Sequence, residues 1–373
     1  MAVKILFFIE TLTGGGAEKV LCNLVNEMDQ SRFEITVQTL WKAEPSGILR
    51  PGVRYRSCYA VPSRANLLRS RAEAALGLTY PLRIRDDYDI EVAYLEFGST
   101  KILSRSTNRR AKKVAWVHSD LARKIGGDSA FQRKVARQYA PYDKIVCVSR
   151  TARDSFVRLF GREADAVVLY NTVDDAAIRE KAELLPPDLP EKRRLTLAAA
   201  GRLAPEKRYD MLLSIHKKLL EAGLAHDLWI IGDGPERERL ERLTEEYGLR
   251  DSVLLTGFRE NPYPYLKAAD LLVCSSRYEG LSTFVTEGLI LGKPIVTTDC
   301  SGMRELLGES EYGLITDHTE AALLAGIRRM LSEPALRDGY GRAAAGRGAA
   351  FSADKRCRET ERFFSDLLEV QTP

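Results

Sequence analysis

The stretch TLAAAGRLAPEKRYDMLLSI, which runs from Thr196 to Ile215, decides the fold of this chain. It opens with a short apolar run typical of a buried strand and closes with apolar positions at helical spacing. Gly201 and a short polar loop join the two parts. A strand that leads directly into a helix is the repeating unit of parallel sheets, because the helix carries the chain back to the start of the next strand.

Comparable units recur along the chain, which predicts an α/β fold with two similar domains. In the first half, the predicted strands are Val3–Ile9, Glu34–Leu40, Ile90–Leu95, Val114–Val117, Lys144–Val148 and Ala166–Leu169. In the second half, they are Leu195–Ala200, Leu228–Ile231, Ser252–Leu255, Leu271–Ser275, Pro294–Thr297 and Gly313–Ile315.

A segment rich in charge and proline separates the two series of units. It reads VDDAAIREKAELLPPDLPEKRR, and such a composition between patterned regions marks a connection between domains. We therefore expect an N-terminal domain over residues 1–189 and a C-terminal domain over residues 190–351. Residues 352–373 are predicted to form a final helix, because Ser352 is a suitable N-cap and apolar residues follow at helical spacing.

The composition is that of an ordinary soluble protein. Of 373 residues, 45% are hydrophobic and 29% are charged, which suits two packed domains. The six cysteines lie far apart, with no C-x-x-C pair and no histidine at metal-ligand spacing, so neither a disulfide framework nor a zinc site is expected. Glu10 interrupts the first apolar run, and no run reaches the ~18 residues of a membrane span. We expect a cytoplasmic protein that is at most peripheral at the inner face of the plasma membrane.

Positive charge is concentrated in the first half of the chain. Residues 101–150 hold 13 lysines and arginines against 3 acids, whereas residues 191–373 hold 26 against 29. Two interpretations are open: a solvated surface, or a face that meets anionic lipid or an anionic acceptor. Nucleic acid is the weaker option, because no recognised binding motif accompanies the charge.

A triple-glycine turn follows the first strand. In FFIETLTGGGAEKVLCNLVNEM the strand ends, three glycines follow, and a helix begins at about Ala17. The free N–H groups at the start of that helix can receive an anion, and Gly15 and Gly16 carry no Cβ to hold it away. The alternative is a glycine turn that serves tight helix packing. The spacing is not that of a dinucleotide motif, so a nicotinamide-binding fold is disfavoured.

Two cations follow the strand of the opening stretch. Arg202 and Lys207 lie at the two ends of the loop before the helix, where both could converge on a diphosphate beside the helix N-terminus. Solvated loop charges are the alternative interpretation.

The stretch RYEGLSTFVTEG places two acids where a loop enters a helix predicted over Thr283–Leu291. Glu279 precedes the helix, and Glu287 projects from its second turn. Acids near a helix start are common as partners of the helix dipole. Beside the hydroxyl groups of this loop they also suit a polyol, because a carboxylate accepts hydrogen bonds from vicinal hydroxyls. If these acids and the phosphate-binding cations lie at one edge of the sheet, they match the hydroxyl groups and the diphosphate of a nucleotide sugar.

Two further loops contain glycine at strand ends. Gly232 and Gly234 precede Pro235, the predicted first residue of a helix, and they either punctuate the structure or approach a ligand through the backbone. Residues 257–259 follow another strand at the same edge of the sheet.

These motifs resemble the donor-binding half of a retaining glycosyltransferase of family 4. The segments GRLAPEK, IGDGP, TGF and AADLLVCSSRYEGLSTFVTEGLILGKPIV stand in that family's order and spacing. The first half is similar through GGGAE, VHSD at His118 and LYNTVD at Asn171, where threonine replaces the family's glycine. The resemblance is weaker over residues 45–90 and 120–140, where acceptor contacts would lie. It implies a GT-B fold, in which two Rossmann-like domains face each other across a cleft and the last helix crosses back to the N-terminal domain.

The resemblance implies roles for four catalytic residues. Arg202 and Lys207 would hold the departing diphosphate, Glu279 would face the sugar and phosphates, and His118 would lie near the transferred sugar. A lone histidine is more often structural, so this role of His118 depends on the match to the family.

The resemblance also implies a set of donor-binding residues, in which Glu287 binds the ribose hydroxyls and the side chains that follow Gly257 flank the base. The implied set is Gly15, Gly16, Arg202, Lys207, Phe258, Arg259, Glu279, Gly280, Leu281, Ser282, Thr283 and Glu287. Members of this family generally need no metal, so neither a metal ion nor a cofactor besides the nucleotide sugar is expected. Asp87 and Asp89 precede a strand and so lie at the wrong end of the sheet for a metal site.

The implied activity is the transfer of a hexose or N-acetylhexosamine from a nucleotide sugar, by default a UDP-sugar, with retention of configuration. The expected acceptor is lipid-linked or a polysaccharide of the cell envelope, and the basic N-terminal domain would contact an anionic membrane. The alternatives are a GT-B synthase acting on a small sugar or sugar phosphate, a non-catalytic two-lobed ligand-binding protein and, third, a Rossmann dehydrogenase.

Overall fold

The computed structural model describes residues 2–12, 15–43 and 48–369, and within them the chain forms two compact units. Unit 1 takes its described residues from Met1–Thr172 and Ala353–Pro373, and unit 2 is Val173–Ser352. Each unit is a parallel sheet with helical connections, which confirms the predicted α/β class. No helix in these residues is long and apolar enough to cross a membrane.

The sheet of unit 1 has seven strands in its described residues, in the order β3-β2-β1-β4-β5-β6-β7. These strands are β1 (Val3–Ile9), β2 (Phe33–Trp41), β3 (Arg54–Tyr59), β4 (Ile90–Ala93), β5 (Lys112–Val117), β6 (Lys144–Cys147) and β7 (Ala166–Val168). The helices are α1 (Gly16–Glu27), α2 (Arg64–Leu76), α3 (Thr79–Arg83), α4 (Gly98–Leu103), α5 (Leu121–Ile125), α6 (Ser129–Tyr139), α7 (Arg150–Phe160) and, at the end of the chain, α16 (Ala353–Glu369). β1 is central, and residues 5–9 are wholly buried, since both faces of a parallel sheet are covered.

The C-terminal helix α16 packs on unit 1. Phe364 is fully buried, with its ring centroid 5.9 Å from that of Phe7 and 6.5 Å from that of Trp116. The Glu361 carboxylate accepts a hydrogen bond from the backbone N–H of Asp29 at 2.7 Å. The predicted return of the last helix to the N-terminal domain is therefore confirmed.

The sheet of unit 2 has six strands, in the order β10-β9-β8-β11-β12-β13. These strands are β8 (Thr196–Ala200), β9 (Asp227–Ile231), β10 (Val253–Gly257), β11 (Leu271–Cys274), β12 (Ile295–Thr298) and β13 (Leu314–Thr316). The helices are α8 (Asp175–Lys181), α9 (Tyr209–Glu221), α10 (Arg237–Glu246), α11 (Tyr263–Ala268), α12 (Thr283–Ile290), α13 (Met303–Leu307), α14 (Glu320–Ser332) and α15 (Pro334–Gly348). This strand order is that of a Rossmann sheet, with the first strand at the centre.

The division between the units falls earlier in the chain than the predicted boundary near residue 190. Helix α8 and the proline-rich segment after it pack on unit 2. The Asn261 side chain donates a hydrogen bond to the Lys181 carbonyl at 2.8 Å, and the Tyr265 hydroxyl donates to Asp188 at 2.9 Å. The segment that separates the two patterned regions is thus structurally part of the second unit.

Two details of the predicted secondary structure are wrong. Strand β3 was not predicted, because it is an edge strand whose exposed Arg54 and Arg56 resemble a loop. Pro235 does not begin a helix, since α10 starts at Arg237. A turn precedes α10, in which the Glu236 backbone N–H donates to the Leu203 carbonyl at 3.0 Å.

Candidate active site

The two central strands of unit 2 create an opening at their carboxyl ends. β8 and β11 are neighbours, but the next strand after β8 lies on one side of them and the next strand after β11 on the other. The two following loops therefore diverge, and open α/β sheets bind ligands at such a switch point. These are the loops that carry Arg202, Lys207 and Glu279.

Lys207 and Glu279 meet at this opening. Lys207 ends a short 3-10 helix, and its Nζ donates a hydrogen bond to Glu279 Oε1 at 2.6 Å. The Ser276 hydroxyl donates to the same oxygen at 2.7 Å, and the Ser275 hydroxyl donates to the Lys207 carbonyl at 2.6 Å. Burial alone would lower the Lys207 pKa, but the charge and hydrogen bond of Glu279, together with smaller effects of Tyr209 and Cys274, outweigh burial and raise the pKa above its ordinary value. The ammonium group is therefore fixed in position and charged at neutral pH.

The side chains of this pair are largely shielded from solvent. The Lys207 and Glu279 side chains keep only 20% and 14% of their exposure, and Tyr209, Cys274 and Phe284 line the same pocket. A charge interacts more strongly in such surroundings than in water. The pair therefore presents an ammonium group that suits an anion and a carboxylate that suits a hydroxyl group, and their contact with a donor stays a prediction.

Arg202 does not join the pair. Its side chain is 72% exposed, and its Nη2 donates to Glu206 Oε1 at 3.4 Å. The structure thus brings Lys207 and Glu279 together, while the contact of Arg202 with a diphosphate stays a prediction.

Helix α12 positions the second acid. The Ser282 hydroxyl caps the helix by accepting a hydrogen bond from the Val285 N–H at 3.4 Å. Glu287, in the second turn, is buried and accepts a hydrogen bond from the Tyr263 hydroxyl at 3.2 Å. The predicted placement of one acid before the helix and one in its second turn is confirmed. Residues 280–283 connect the two acids, and their contacts with a sugar nucleotide stay predictions.

The residues predicted to flank the base follow β10. Phe258 is 63% exposed, so its ring is available for stacking against a planar group. Arg259 is held by unit 2 itself: its guanidinium pairs with Asp188 at 2.6 Å and lies over the Tyr265 ring at 5.4 Å from the centroid. The role of both residues in base binding stays a prediction.

Gly232 and Gly234 serve the packing of two loops of unit 2. A Cβ at Gly232 would lie 2.0 Å from the Gly201 carbonyl oxygen, and one at Gly234 would lie 2.5 Å from the Leu203 carbonyl oxygen. Both glycines also have positive φ angles, of 140° and 157°. The loops after β8 and β9 therefore touch through their backbones, which favours the structural interpretation of this motif.

His118 belongs to a buried polar cluster at the carboxyl edge of the unit 1 sheet. Glu96 accepts hydrogen bonds from the His118 backbone N–H at 3.1 Å, from the Lys124 ammonium at 3.0 Å and from the Ser119 hydroxyl. Burial would raise the Glu96 pKa, yet the Lys124 charge and these hydrogen bonds outweigh burial and lower it. Burial lowers the His118 pKa to about 4, so the imidazole is neutral at pH 7. Its Nε2 is buried and has no partner among the described residues, and its contact with the transferred sugar stays a prediction.

Glu96 and Lys124 were not predicted from the sequence. They belong to no recognised motif, and they stand 22 and 6 residues from His118 in the sequence. The available signal was the position of Glu96 directly after a predicted strand, where parallel sheets place their functional groups.

Helix α1 begins at Gly16, one residue before the predicted start at about Ala17, and Thr13 and Gly14 of the predicted glycine turn lie outside the described residues. The Gly15 N–H donates to the Glu18 carboxylate at 3.0 Å, and Glu18 also accepts from the Thr11 hydroxyl at 2.5 Å. A carboxylate of the chain itself therefore occupies part of this helix N-terminus. The approach of Gly15 and Gly16 to a diphosphate stays a prediction.

No group of three or more His, Cys, Asp or Glu in the described residues could hold a metal ion, and metal independence stays a prediction. Asp89 lies at the amino end of β4, where its carboxylate accepts a hydrogen bond from the Lys4 N–H at 2.8 Å. Asp87 and Asp89 thus lie away from the carboxyl edge of the sheet, as predicted.

Comparison with known proteins assigns the chain to a family. Residues 14–177 match the family model described as Glycosyltransferase Family 4, and residues 181–347 match the model described as Glycosyl transferases group 1. The chain is a family 4 glycosyltransferase. Membership in this family replaces the binding-protein and dehydrogenase alternatives.

Two curated relatives of this glycosyltransferase are named for the making of glycans. It is 27% identical over 369 residues, covering 96% of this chain and 99% of the other, to N-acetylgalactosamine-N,N'-diacetylbacillosaminyl-diphospho-undecaprenol 4-alpha-N-acetylgalactosaminyltransferase of Campylobacter jejuni. It is 31% identical over 203 residues, covering 54% of this chain and 57% of the other, to the lipopolysaccharide core biosynthesis glycosyltransferase LpsD of Rhizobium meliloti.

A solved structure shares the fold of this glycosyltransferase. Alr3699/HepE of Anabaena, crystallised in complex with UDP and glucose, has 18% sequence identity and a TM-score of 0.78. The match covers 98% of this chain and 100% of the other. The predicted GT-B fold is therefore confirmed.

Proposed function

We propose that this glycosyltransferase moves a hexose or N-acetylhexosamine from a UDP-sugar to a lipid-linked or polysaccharide acceptor in cell-envelope glycan synthesis. It retains the configuration of the sugar and works without a metal ion at the inner face of the membrane. The observation that carries the proposal is the hydrogen-bonded pair of Lys207 and Glu279 at the switch point of the unit 2 sheet.

The pair supports a nucleotide-sugar donor because it offers both kinds of group that such a donor needs. The fixed Lys207 ammonium would neutralise the diphosphate as it leaves, and Arg202 on the same loop would add a second cation. Both hydrogen bonds to Glu279 given above end on Oε1, so Oε2 remains for a sugar hydroxyl. The exposed ring of Phe258 and the buried acid Glu287 would receive the base and the ribose.

Catalysis would rest on position and electrostatics. The acceptor hydroxyl enters on the face from which the diphosphate departs, so no enzyme carboxylate attacks the sugar. The neutral His118 would orient the transferred sugar through a hydrogen bond at Nε2. Lys207 and Arg202 stabilise the charge that develops on the leaving group, and one such donor is typically worth about 3 kcal/mol.

The acceptor class is supported by the relatives and by charge. The Campylobacter relative is named for a diphospho-undecaprenol substrate, and the Rhizobium relative for the lipopolysaccharide core. A diphosphate group such as the one in the first name is anionic. The excess of lysine and arginine over residues 101–150 suits such an acceptor and an anionic membrane surface.

A panel of sugar nucleotides tests the proposal. The protein is incubated with UDP-, GDP- and ADP-linked hexoses and N-acetylhexosamines, with and without a bacterial membrane extract, and release of the nucleoside diphosphate is measured. We expect release from a UDP-sugar that increases when the extract supplies an acceptor. Release from none of the donors, with or without the extract, would contradict the proposal.

A further inference from the structure

Two cysteine side chains of unit 2 lie together beside the Lys207–Glu279 pair. Cys274 is the last residue of β11, and Cys300 is the second residue after the neighbouring strand β12. The chain turns sharply there, because the Cys300 backbone N–H donates a hydrogen bond to the Thr298 carbonyl at 2.8 Å. The two side chains thereby meet, and the Cys300 thiol donates a hydrogen bond to the Cys274 sulfur. All six cysteines of the chain are free, so these two form a reduced dithiol.

Hydrogen bonds connect the dithiol to the proposed donor site. Cys274 lines the same pocket as Lys207 and Glu279. Its thiol donates to the Ser276 hydroxyl at 3.5 Å, and that hydroxyl donates to Glu279 Oε1 at 2.7 Å. The same Oε1 accepts from Lys207 at 2.6 Å. A covalent change at Cys274 would therefore reach the carboxylate that holds Lys207 in place.

Cys274 is also the cysteine of this chain that is best suited to react. The thiolate is the reactive form of cysteine, so reactivity increases as the pKa of the thiol falls. The hydrogen bond with Cys300 is the main reason why the Cys274 pKa lies below its ordinary value, and the charge of Lys207 lowers it further. Burial instead raises the pKa of the four cysteines outside the dithiol, which are Cys22, Cys58, Cys147 and Cys357.

We propose that Cys274 and Cys300 form a redox-sensitive dithiol, which a small peroxide converts to a disulfide, and that this disulfide disables the donor site. The formation of the disulfide goes beyond the proposed function. Its effect on donor binding rests on that function, because it acts through Glu279 and Lys207. In a reducing compartment such a disulfide would be transient and regulatory.

The oxidation takes place in two balanced steps. The Cys274 thiolate attacks hydrogen peroxide, so that an S–O bond forms, the O–O bond breaks and hydroxide leaves. Cys300 then attacks the Cys274 sulfur, so that the S–S bond forms and the oxygen leaves as water with the thiol proton. Two thiols are oxidised, and one peroxide is reduced to two waters. The oxidant must be small, because Cys274 and Cys300 are only 5% and 2% exposed.

The disulfide would disturb the loop that carries Glu279. A disulfide brings the two sulfurs to about 2 Å from each other, and Cys274 loses the proton that it donates to Ser276. The Thr298 hydroxyl donates to the Ser276 carbonyl at 2.6 Å, so the loops after β11 and β12 are already tied together. Movement of the Cys300 segment is therefore passed to Ser276 and Glu279. A shift of about 1 Å in a positioned group is enough to cost much of the activity of an enzyme.

A metal ion fits the dithiol less well than a disulfide bond does. Structural zinc is held by four protein ligands. Within residues 2–12, 15–43 and 48–369, no group of three or more His, Cys, Asp or Glu could hold a metal ion. Two thiols in hydrogen-bond contact already have the partner that oxidation requires.

Peptide mapping tests the formation of the disulfide. The full chain is treated with hydrogen peroxide, catalase removes the excess, and the remaining thiols are blocked with N-ethylmaleimide in denaturant. Arg277 lies between the two cysteines, so trypsin releases them on separate peptides that only a disulfide joins. We expect a Cys274–Cys300 link that dithiothreitol breaks, formed before any other cysteine is oxidised. Absence of this link, or earlier oxidation of another cysteine, would overturn the proposal.

The effect of the disulfide on the donor site is measured with UDP. The reduced wild type should show a UDP-induced rise in melting temperature, the oxidised protein should lose it, and dithiothreitol should restore it. This comparison needs no variant. A linked protein that keeps the full response to UDP would overturn the claim that the disulfide disables the donor site.

Two variants separate the dithiol from other oxidation. Cys300→Ser keeps a hydrogen-bond donor to Cys274 but provides no second thiol, so peroxide should drive Cys274 to the sulfinic acid, and dithiothreitol should not restore the response to UDP. The matched control is Cys147→Ser, because Cys147 is likewise the buried last residue of a strand, β6 of unit 1. It should lose and regain the response like the wild type. Full recovery of Cys300→Ser after the same peroxide treatment would contradict the role of Cys300.

Failure of this inference and failure of the proposed function give different results. The link is detected by mass and needs no donor. A wild type that responds to UDP but never forms the link would refute the dithiol switch and leave the function standing. A wild type that forms the link but, when reduced, responds neither to UDP nor to any sugar nucleotide would contradict the proposed function and the control of a donor site.

Discussion

Both units place a glutamate–lysine pair at the equivalent position of their sheets. Glu96 follows β4 and Glu279 follows β11, and each of these strands lies beside the central first strand of its sheet. Their partners are Lys124 at 3.0 Å and Lys207 at 2.6 Å. A buried carboxylate is tolerated when it is paired and hydrogen-bonded, so each pair fixes a charge where a ligand of an α/β sheet arrives.

The Glu96 cluster should be strongly stabilising. Replacing Glu96 by leucine removes the acceptor of the Ser119 hydroxyl, the His118 N–H and the Lys124 ammonium. We expect Glu96→Leu to lower the free energy of unfolding by about 2 to 4 kcal/mol in urea titration. The control is Glu163→Leu, whose exposed ion pair with Arg153 should be worth less than about 0.5 kcal/mol. Equal effects of the two variants would contradict this account of the cluster.

At the residue scale, sequence reasoning located the loops but not the contacts within them. The pairing of Lys207 with Glu279 joins residues 72 positions apart, so no local pattern reports it. Arg202 and Lys207 were given equal roles because they share a loop, yet one is 72% exposed and the other 20%. Glu96 was missed because a single acid after a strand gives no motif.

At the scale of elements, the close approach of two strand-end loops shapes the unit 2 opening. The Gly232 N–H donates to the Gly257 carbonyl at 3.0 Å, and the Gly201 N–H donates to the Ile231 carbonyl at 2.9 Å. The backbones of these loops pass too close for a side chain at Gly232.

Alanine at Gly232 should disrupt this packing. Its Cβ would lie 2.0 Å from the Gly201 carbonyl oxygen, so the two loops must move apart. We expect Gly232→Ala to lower the free energy of unfolding by about 3 kcal/mol. Gly223→Ala is the matched control, because Gly223 also has a positive φ, of 80°, but nothing within 4 Å of the new Cβ. The free energy of unfolding of that variant should fall by only about 1 kcal/mol. A similar loss in both variants would show that the positive φ angle, and not the contact with Gly201, causes the destabilisation.

Strands whose own sequence is a clear apolar run were predictable. Elements whose structure depends on contacts with neighbouring elements were not. The twelve predicted strands are present because each is a short apolar run, although the edge strands β10 and β13 are only partly buried. The edge strand β3 escaped because exposed arginines alternate along it, and one of them pairs with Glu34 on β2 at 2.6 Å. The sequence of α2 likewise gives no sign that its leucines face outward, since that orientation follows from the pairing of Glu73 with Arg83.

At the scale of the whole molecule, acid stability should depend on a buried histidine chain in unit 2. His216 Nδ1 lies 2.8 Å from His226 Nε2, and His216 Nε2 lies 2.9 Å from the Ser252 hydroxyl. Burial is the main cause that lowers the pKa of both histidines, that of His216 from 6.5 to about 3. The folded protein therefore holds the pair neutral where the unfolded chain would be protonated.

The sign of the pH dependence follows from these lowered pKa values. Below about pH 6.5 the unfolded chain binds more protons than the folded one, so stability is full at pH 7 and falls as the pH decreases toward 3. For His216 alone the loss should reach about 2 kcal/mol by pH 5. Urea unfolding between pH 4 and 8 should show a shallower slope in His216→Leu/His226→Leu than in the wild type or His318→Gln. An unchanged slope would contradict the role of these histidines.

The measurement that tests the central claim most directly is the rate of nucleoside diphosphate release from the preferred sugar nucleotide by Lys207→Ala. Loss of the charge that stabilises the leaving group should lower turnover by roughly 100- to 1,000-fold. The melting temperature should also fall, because Glu279 loses its partner, so the rate is measured at a temperature at which the variant is still folded. Lys217→Ala, which removes a half-exposed lysine of the same unit, should keep the wild-type rate. Near-normal release by Lys207→Ala would contradict the claim that the Lys207–Glu279 pair binds the donor diphosphate.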